Sequence, residues 1–467
     1  MFVIKDKTPN ARSMWVILVL VLVADALDLI DATITNIAAP TIVRDIGGGE
    51  SLIKWLSAAY ALSLGTLLVV GGRLGDRYGQ RRLFLIGMAG FTAASALCGF
   101  AFDPALLIVA RALQGLFGAL LIPQGMAIMT KTFPKEMLAK AFNAFGPLLG
   151  IAAIGGPILG GFIIDADLAG LGWRPMFLVN VVLGLAGLLV AVRVLPRDAG
   201  NPEATVDVLG SLWLGGGMLG LLYGLIDGSE HGWTVLPIAC LVASAGCFAG
   251  FAHRLRTARD PLLKPTLLRN RGFTSGLLIG VLYFAAINGL MYVVSLFMQL
   301  GLGYDPSRTA LGLLPVTIGI MIGAGTAMAL VTKLGRRLVV IGLLVTLAGG
   351  LGLLAVVSAS SVSTLAVSAA LLVVGAGAGV SFGTIFNTAL GDVDPDEAGA
   401  ASGSLSSIQQ IAAALGSASV TSVYFAAVAD SGQEQAMTLS LIVVLGIAAA
   451  CLAVVRLLPR QAVALEH

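Results

Sequence analysis

Three aspartates, Asp25, Asp28 and Asp31, sit in VADALDLIDATITNIAAP (residues 23–40), inside an apolar run long enough to cross a bilayer. A carboxylate facing lipid near mid-membrane costs about 2.5–3.5 kcal/mol, and three together roughly 8–10 kcal/mol. Such a load favours a helix face turned toward water or protein. At about 100° per residue, Asp28 lies about 300° and Asp31 about 240° round from Asp25, so the three share a fan of about 120°. One face of one helix can therefore carry all three toward a central cavity. There a carboxylate can hold a proton or pair with a cation. Competition between the two for one site is the minimum requirement for exchange.

A cation of the chain itself lies at matching depth. With the first span starting near Trp15, Asp28 and Asp31 lie about 20 and 24 Å from the inner boundary at about 1.5 Å per residue. Arg111 enters from Pro104 on the opposite side, about 10 Å below the outer boundary of a roughly 30 Å core. It can reach Asp28 or Asp31, and an unpaired arginine at that depth would be costly. Asp25 lies deeper and is placed to meet a cationic substrate.

The elements that carry these residues follow from composition. The chain has 467 residues, 57% hydrophobic and 11% charged, where a soluble protein would be about a quarter charged. Apolar segments recur near 14–39, 52–72, 83–102, 105–128, 140–164, 174–195, 207–226, 233–252, 272–300, 308–332, 335–357, 362–388, 398–428 and 437–458. This predicts an all-α polytopic membrane protein of fourteen spans, with both termini on one side. Of the 28 lysines and arginines, the outer loops hold Arg44, Lys54, Arg174 and Arg308, and Arg111 lies in the fourth span. All the others fall on the side of the N-terminus, which makes that side cytoplasmic. A net charge of +3 gives no sign of nucleic-acid binding. Cys98, Cys240, Cys247 and Cys451 have no metal-ligand spacing and read as small apolar residues. No phosphate loop or catalytic triad is present, so an enzyme is not expected, and neither is a bound cofactor. No cleavable signal peptide is evident, and the terminal Leu-Glu-His resembles a tag scar.

The basic segment HRLRTARDPLLKPTLLRNR precedes the ninth span. Spans seven and eight, joined by DGSEHGW with Asp227, Glu230 and His231, read as an extra hairpin with a solvated loop. The expected division is a six-helix bundle over 1–198, the hairpin over 199–258, a second six-helix bundle over 259–460, and a tail over 461–467. RLGDRYGQRR after span two is echoed by KLGRR after span ten, as a duplicated, rocking bundle would require. In GDVDPDEAG, Asp394 or Asp396 is expected to cap the next helix.

Gly72, Gly75, Asp76, Arg77, Gly79 and Arg81 form a short reversal in which Asp76 can accept backbone hydrogen bonds at a neighbouring helix N-terminus. This stretch resembles the signature loop of the major facilitator superfamily. ARALQGLFGA, with Arg111, Gln114, Gly115 and Gly118, is similar to that family's fourth-helix motif with its buried arginine. GIAAIGGPILGG resembles its antiporter motif, in which Pro157 removes a backbone donor and Gly156, Gly160 and Gly161 allow close packing. DATITNIAAP, WLSAAYAL and GWRPMFLVN resemble the fourteen-span drug:proton antiporters. Two departures are Val182 in place of proline and Gln409-Gln410 in place of an Arg-Gln pair. The second leaves the C-terminal half without an obvious intramembrane charge.

The resemblance implies a proton-coupled exporter of lipophilic, cationic drugs or antibiotics from the cytoplasm. It would be a monomer in a bacterial inner membrane, driven by the proton gradient. Asp31, Asp28 and Arg111 would couple the proton, with Asp31 favoured as the proton site because it matches the family motif and Asp28 the better depth match for Arg111. The cavity would be lined by Asp25, Asp28, Tyr60, Gln114 and Asn143 from one half, and by Asn288, Tyr292, Gln299, Phe382 and Asn387 from the other. The glycine-rich turn and the fifth helix would gate it. A symporter or facilitator for a specific metabolite is the alternative, and a receptor is a third.

Overall fold

The computed structural model describes residues 11–134, 137, 152, 155–203, 205–259, 261–263, 265–359, 363–390, 393 and 397–458. Every regular element among them is helical: α1 (Ala11–Ile46), α2 (Gly49–Tyr78), α3 (Gln80–Gly99), α4 (Pro104–Thr132), α5 (Gly155–Asp165), α6 (Pro175–Val194), α7 (Val208–His231), α8 (Val235–Thr257), the short α9 (Pro265–Arg269), α10 (Arg271–Leu296), α11 (Pro306–Leu334), α12 (Arg336–Val357), α13 (Thr364–Leu390) and α14 (Ala398–Val454). A π-helical turn, Phe297–Gly301, extends α10. In a bilayer the backbone must satisfy its own hydrogen bonds, which leaves helices as the solution for these apolar runs. Twelve of the described helices are long and apolar enough to cross a membrane. The protein is a multi-pass membrane protein.

Helix ends outrun the apolar runs. α1 covers 36 residues and α2 covers 30, and between them they take in Arg44 and Lys54, both expected in outer loops. Local hydrogen bonding carries both helices past the apolar runs; Arg44 is exposed there, whereas Lys54 is buried against neighbouring helices. Stops and starts follow local chemistry. Asp103 accepts from the Leu106 amide at 3.0 Å ahead of Pro104, and Asn270 accepts from the Phe273 amide at 3.0 Å. α14 spans 57 residues, about 85 Å at about 1.5 Å per residue, far more than a roughly 30 Å core. At Gly432 its backbone leaves helical geometry (φ 78°, ψ 173°), a conformation glycine adopts without a Cβ penalty. The sequence expected a break between 428 and 437. The caps expected of Asp394 and Asp396 lie outside the described residues.

Packing repeats itself. α4 packs on α2 and α3, and α13 packs in the same manner on α11 and α12. α1 joins α2, α4 and α6, while α10 joins α14. α7 and α8 pair with each other, and α7 also touches α2 and α14. Across the two sets, Tyr292 Oη donates to the Ile53 carbonyl, Ser407 Oγ to the Gly65 carbonyl, and Ser295 Oγ to the Asn36 carbonyl at 3.4 Å.

Candidate functional site

Arg111 and Gln114 stand one turn apart on the face of α4 that meets α1 and α2. Gly115, beside them, is what allows this: a Cβ there would sit 2.2 Å from the Tyr60 carbonyl oxygen. The close approach brings α2's Tyr60 over the guanidinium, 4.3 Å from Cζ to the ring centroid. Asp31 and Arg111 form an ion pair with both side chains fully buried. Asp31 also accepts from Asn180 Nδ2 at 2.7 Å and Gln114 Nε2 at 3.1 Å. Arg111 donates further to Gln114 Oε1 at 2.8 Å and to the Leu56 carbonyl at 3.1 Å. Gln114 reaches Ser95 Oγ at 2.8 Å, and Cys98 Sγ donates to Gln114 Oε1 at 3.2 Å. The Asp31 charge is thus matched by one cation and held by two amides, which a buried pair needs in order to offset its desolvation.

Asp28 is treated differently. It lies against Gly118, where a Cβ would come within 3.0 Å of its Oδ1, and it accepts from Tyr60 Oη. Its only described hydrogen-bond partner is neutral, and Arg111 is committed to Asp31. Asp25, one turn further along α1, is half-buried, with Oδ1 buried and free of hydrogen bonds among the described residues. Of the two depth matches for Arg111 the structure takes Asp31. The three carboxylates share a side of α1, but Asp31 is not open to a cavity, being sealed by α4 and α6.

A model of the Major Facilitator Superfamily matches residues 21–417. The chain belongs to this superfamily. It is 39% identical to the "Probable actinorhodin transporter" of Streptomyces coelicolor, over 92% of this chain and 77% of that one. It is 34% identical to the "Puromycin resistance protein pur8" of Streptomyces alboniger, over 92% and 86%. Among solved structures, a crystal structure of the peptide transporter POT superposes with a TM-score of 0.67 at 16% identity, covering 95% of each chain. The human organic anion transporter MFSD10 (TETRAN) gives 0.63 at 14%, covering 95% of this chain and 99% of that one. These two likenesses establish the fold of a major facilitator. The chain is a transporter by family, not an enzyme.

Several expected cavity residues of this facilitator have internal partners. Gln114 and Tyr60 belong to the buried network, and Tyr292, 1% exposed, donates to the Ile53 carbonyl. Asn288 Nδ2 donates to the Phe284 carbonyl at 2.8 Å, one turn back on its own helix. Gln299 is buried in the π-helical turn, with Nε2 3.4 Å from Ser295 Oγ. Phe382 is the open one, 43% exposed and stacked on Phe386 at 5.6 Å, with Phe284 edge-on at 5.4 Å. Asn387 is half-buried, and Asn143 lies outside the described residues. These partners share one cause: a polar side chain in an apolar span takes the nearest backbone or side-chain partner.

The glycine-rich turn also departs from expectation. Gly79 reverses the chain at φ 95°, and the carboxylate that caps α3 belongs to Asp198, not Asp76. Asp198 accepts from the Gln80 amide and, at 3.1 Å, from the Arg81 amide. Asp76 is exposed, and its backbone carbonyl accepts from the Asn201 amide at 2.7 Å. Arg81 donates to the Val192 carbonyl at 2.7 Å, and Arg77 lies over Tyr78 at 5.5 Å. Gly75 leaves room for Gln124, whose Nε2 donates to the Gly71 carbonyl at 2.7 Å, and Gly72 faces Pro123. Asp198→Ala is expected to cost about 0.5–2 kcal/mol by uncapping α3. It should lower the unfolding temperature in detergent, where Asp76→Asn should not.

On α5 the small face meets α1 and α11. A Cβ at Gly156 would lie 2.3 Å from Thr33 Oγ1, one at Gly160 2.2 Å from Ile34 Cγ1, and one at Gly161 2.7 Å from Ser307 Cα. Pro157, between them, has no amide to donate. In the loop-side turn of α7, Asp227 and His231 pair at 3.0 Å with His231 exposed, and the Glu230 side chain lies outside the described residues. All four cysteines are free, and no metal-ligating cluster occurs among the described residues. Sequence reasoning did not single out Asn180, Ser95 or Asp198. The signal for the first two was a lone polar residue inside an apolar span.

Proposed function

We propose that this facilitator is a proton-coupled antiporter that exports lipophilic, cationic drugs or antibiotics from the cytoplasm by alternating access. The names of its relatives, a probable actinorhodin transporter and a puromycin resistance protein, support export of antibiotics. A relative called "Tetracenomycin C resistance and export protein" from Streptomyces glaucescens, 32% identical over 86% of this chain, points the same way. The observation that carries coupling is the split among the α1 carboxylates: Asp31 is neutralised by Arg111, while Asp28 and Asp25 have no described cationic partner. A proton or a substrate cation can neutralise those two, one at a time. We therefore assign the exchanging proton to Asp28, with Tyr60 as its hydrogen-bond donor. Asp31–Arg111 is then the fixed charge pair behind it, and Asp25 the first carboxylate met from the cytoplasm.

In this reading α14 crosses twice, on either side of Gly432, and α5 ends a further span. That gives fourteen spans with both termini in the cytoplasm of a bacterial cell. Residues 1–198 and 259–460 are the rocking halves and 199–258 the accessory hairpin. The α2–α3 turn and α5 move as hinges and seals, while the proton gradient replaces any bound cofactor. The transporter works as a monomer. Phe382 with Phe386 offers an aromatic wall for a flat, cationic substrate.

Ethidium efflux from cells expressing the protein tests the reading. Efflux should survive ATP depletion and collapse with a protonophore. Efflux indifferent to the protonophore would overturn proton coupling, and gradient-driven accumulation would favour a symporter.

A further inference from the structure

Two seams join the halves, one between α2 and α14 and one, described at its Gly161–Ser307 contact, between α5 and α11. In the first, α2 meets α14 so closely that a Cβ at Gly65 would lie 2.9 Å from the Ile411 backbone nitrogen, and Ser407 Oγ donates to the Gly65 carbonyl. In the second, Gly161 of α5 meets Ser307 of α11, whose amide donates to Asp165 Oδ2 at 3.0 Å. Halves that rock against each other open and close both seams. A seam facing lipid is then a path by which a membrane-dissolved molecule can enter.

Among the described residues the seams are covered unequally. α7 lies over the first and packs into both of its helices: Leu222 and Ile226 form one buried cluster with Ala58 and Ala61 of α2 and Ala414 and Ala418 of α14. α8 lies outside α7 and turns Leu236 and Val242, 55% and 67% exposed, away from the protein. The hairpin is pinned at both ends. At one, the Lys54 ammonium, in a side chain 1% exposed, donates to Ser229 Oγ of α7 at 3.2 Å and faces the Phe425 ring of α14 at 5.6 Å. One cation there touches all three helices. At the other end, the buried Asp207 carboxylate accepts from the Gly210 amide at 3.0 Å, from Arg254 Nε at 3.0 Å and from the Leu262 amide at 3.2 Å. This ties the start of α7, the end of α8 and the chain leading into α9 to one point. Next to Gly161 on α5, Phe162 is 53% exposed, and one turn past Ser307 on α11, Leu311 is 50% exposed.

We propose that the α7–α8 hairpin seals the α2–α14 seam against the bilayer, so that a lipophilic substrate dissolved in the membrane enters along the α5–α11 seam. This rests on the export reading given above. The accessory pair thereby sets the side from which substrate arrives. Lys54 and Asp207 are positioning residues that hold the seal.

The test introduces cysteines one at a time into the full chain carrying Cys240→Ala and Cys247→Ala, with Cys98 and Cys451 left buried. In proteoliposomes, N-pyrenylmaleimide delivered from the bilayer should label Leu311→Cys readily. Ala418→Cys should label at least about tenfold more slowly, as a site reached by local opening alone does. Adding Leu222→Ala and Ile226→Ala should bring Ala418→Cys toward the Leu311→Cys rate. In everted vesicles, the adduct on Leu311→Cys should lower ethidium transport by more than half relative to the unlabelled variant. The adduct on Val242→Cys should leave it unchanged. Equal labelling of Ala418→Cys and Leu311→Cys overturns the seal, and a Leu311→Cys adduct without effect overturns the route. Labelling needs no transport, so the seal is judged by labelling even where ethidium export fails, and that failure falls on the antiport reading.

Discussion

Arg111→Met is expected to destabilise the protein by about 3–5 kcal/mol, the usual consequence of leaving one member of a buried ion pair without its partner. Asp31 has no exposed surface through which water could replace the guanidinium. Its remaining donors, Asn180 and Gln114, are neutral amides. The double variant Arg111→Met/Asp31→Asn removes both charges and leaves those amides with an acceptor. It should therefore be more stable than Arg111→Met alone, a non-additivity of the kind seen between residues in direct contact. Thermal unfolding in detergent of the wild type, both single variants and the double variant reads the coupling. Additive losses would mean that the pair contributes nothing as a pair.

Asp28→Asn has the opposite profile. Stability should change by no more than about 1.5 kcal/mol, because one hydrogen bond with a neutral partner is at stake and the asparagine carbonyl can still accept from Tyr60. Exchange should fail. Drug-dependent proton release from detergent-solubilised protein is expected to vanish, and export against a gradient with it, while the fold persists. Asp31→Asn should instead show its main effect on stability, since it strands Arg111. Normal proton release from Asp28→Asn would remove Asp28 from the coupling step and return the assignment to Asp25 or Asp31.

These expectations divide along the line between what was legible in the chain and what was not. The cluster on α1 and the depth of Arg111 could be read from the helical repeat and rise, both set by local hydrogen bonding. The choice between Asp28 and Asp31 could not. They lie three residues apart, about 4.5 Å along the axis, which is finer than a depth estimate from span boundaries can resolve. The donor that helps fix Asp31, Asn180, comes from 149 residues away, and Arg111 itself from 80. No periodicity within α1 carries that information. Asp198 makes the same point at the glycine-rich turn: the sequence offered Asp76, a neighbour, as the cap, and the fold brought in a residue 118 positions on.

By itself, the sequence determined the helical class, the apolar runs that become the twelve described membrane-length helices, the acidic face of α1 and the arginine able to meet it. Each is a consequence of bilayer thickness and of a backbone that must bond within its own segment. Only the tertiary structure decided which carboxylate the arginine neutralises, which polar side chains stay inside the packing, and where the accessory hairpin lies. Those outcomes depend on how helices turn and approach one another. Glycines at contacts such as Gly115 with Tyr60, and Gly65 with Ile411, set that approach to within an ångström or so.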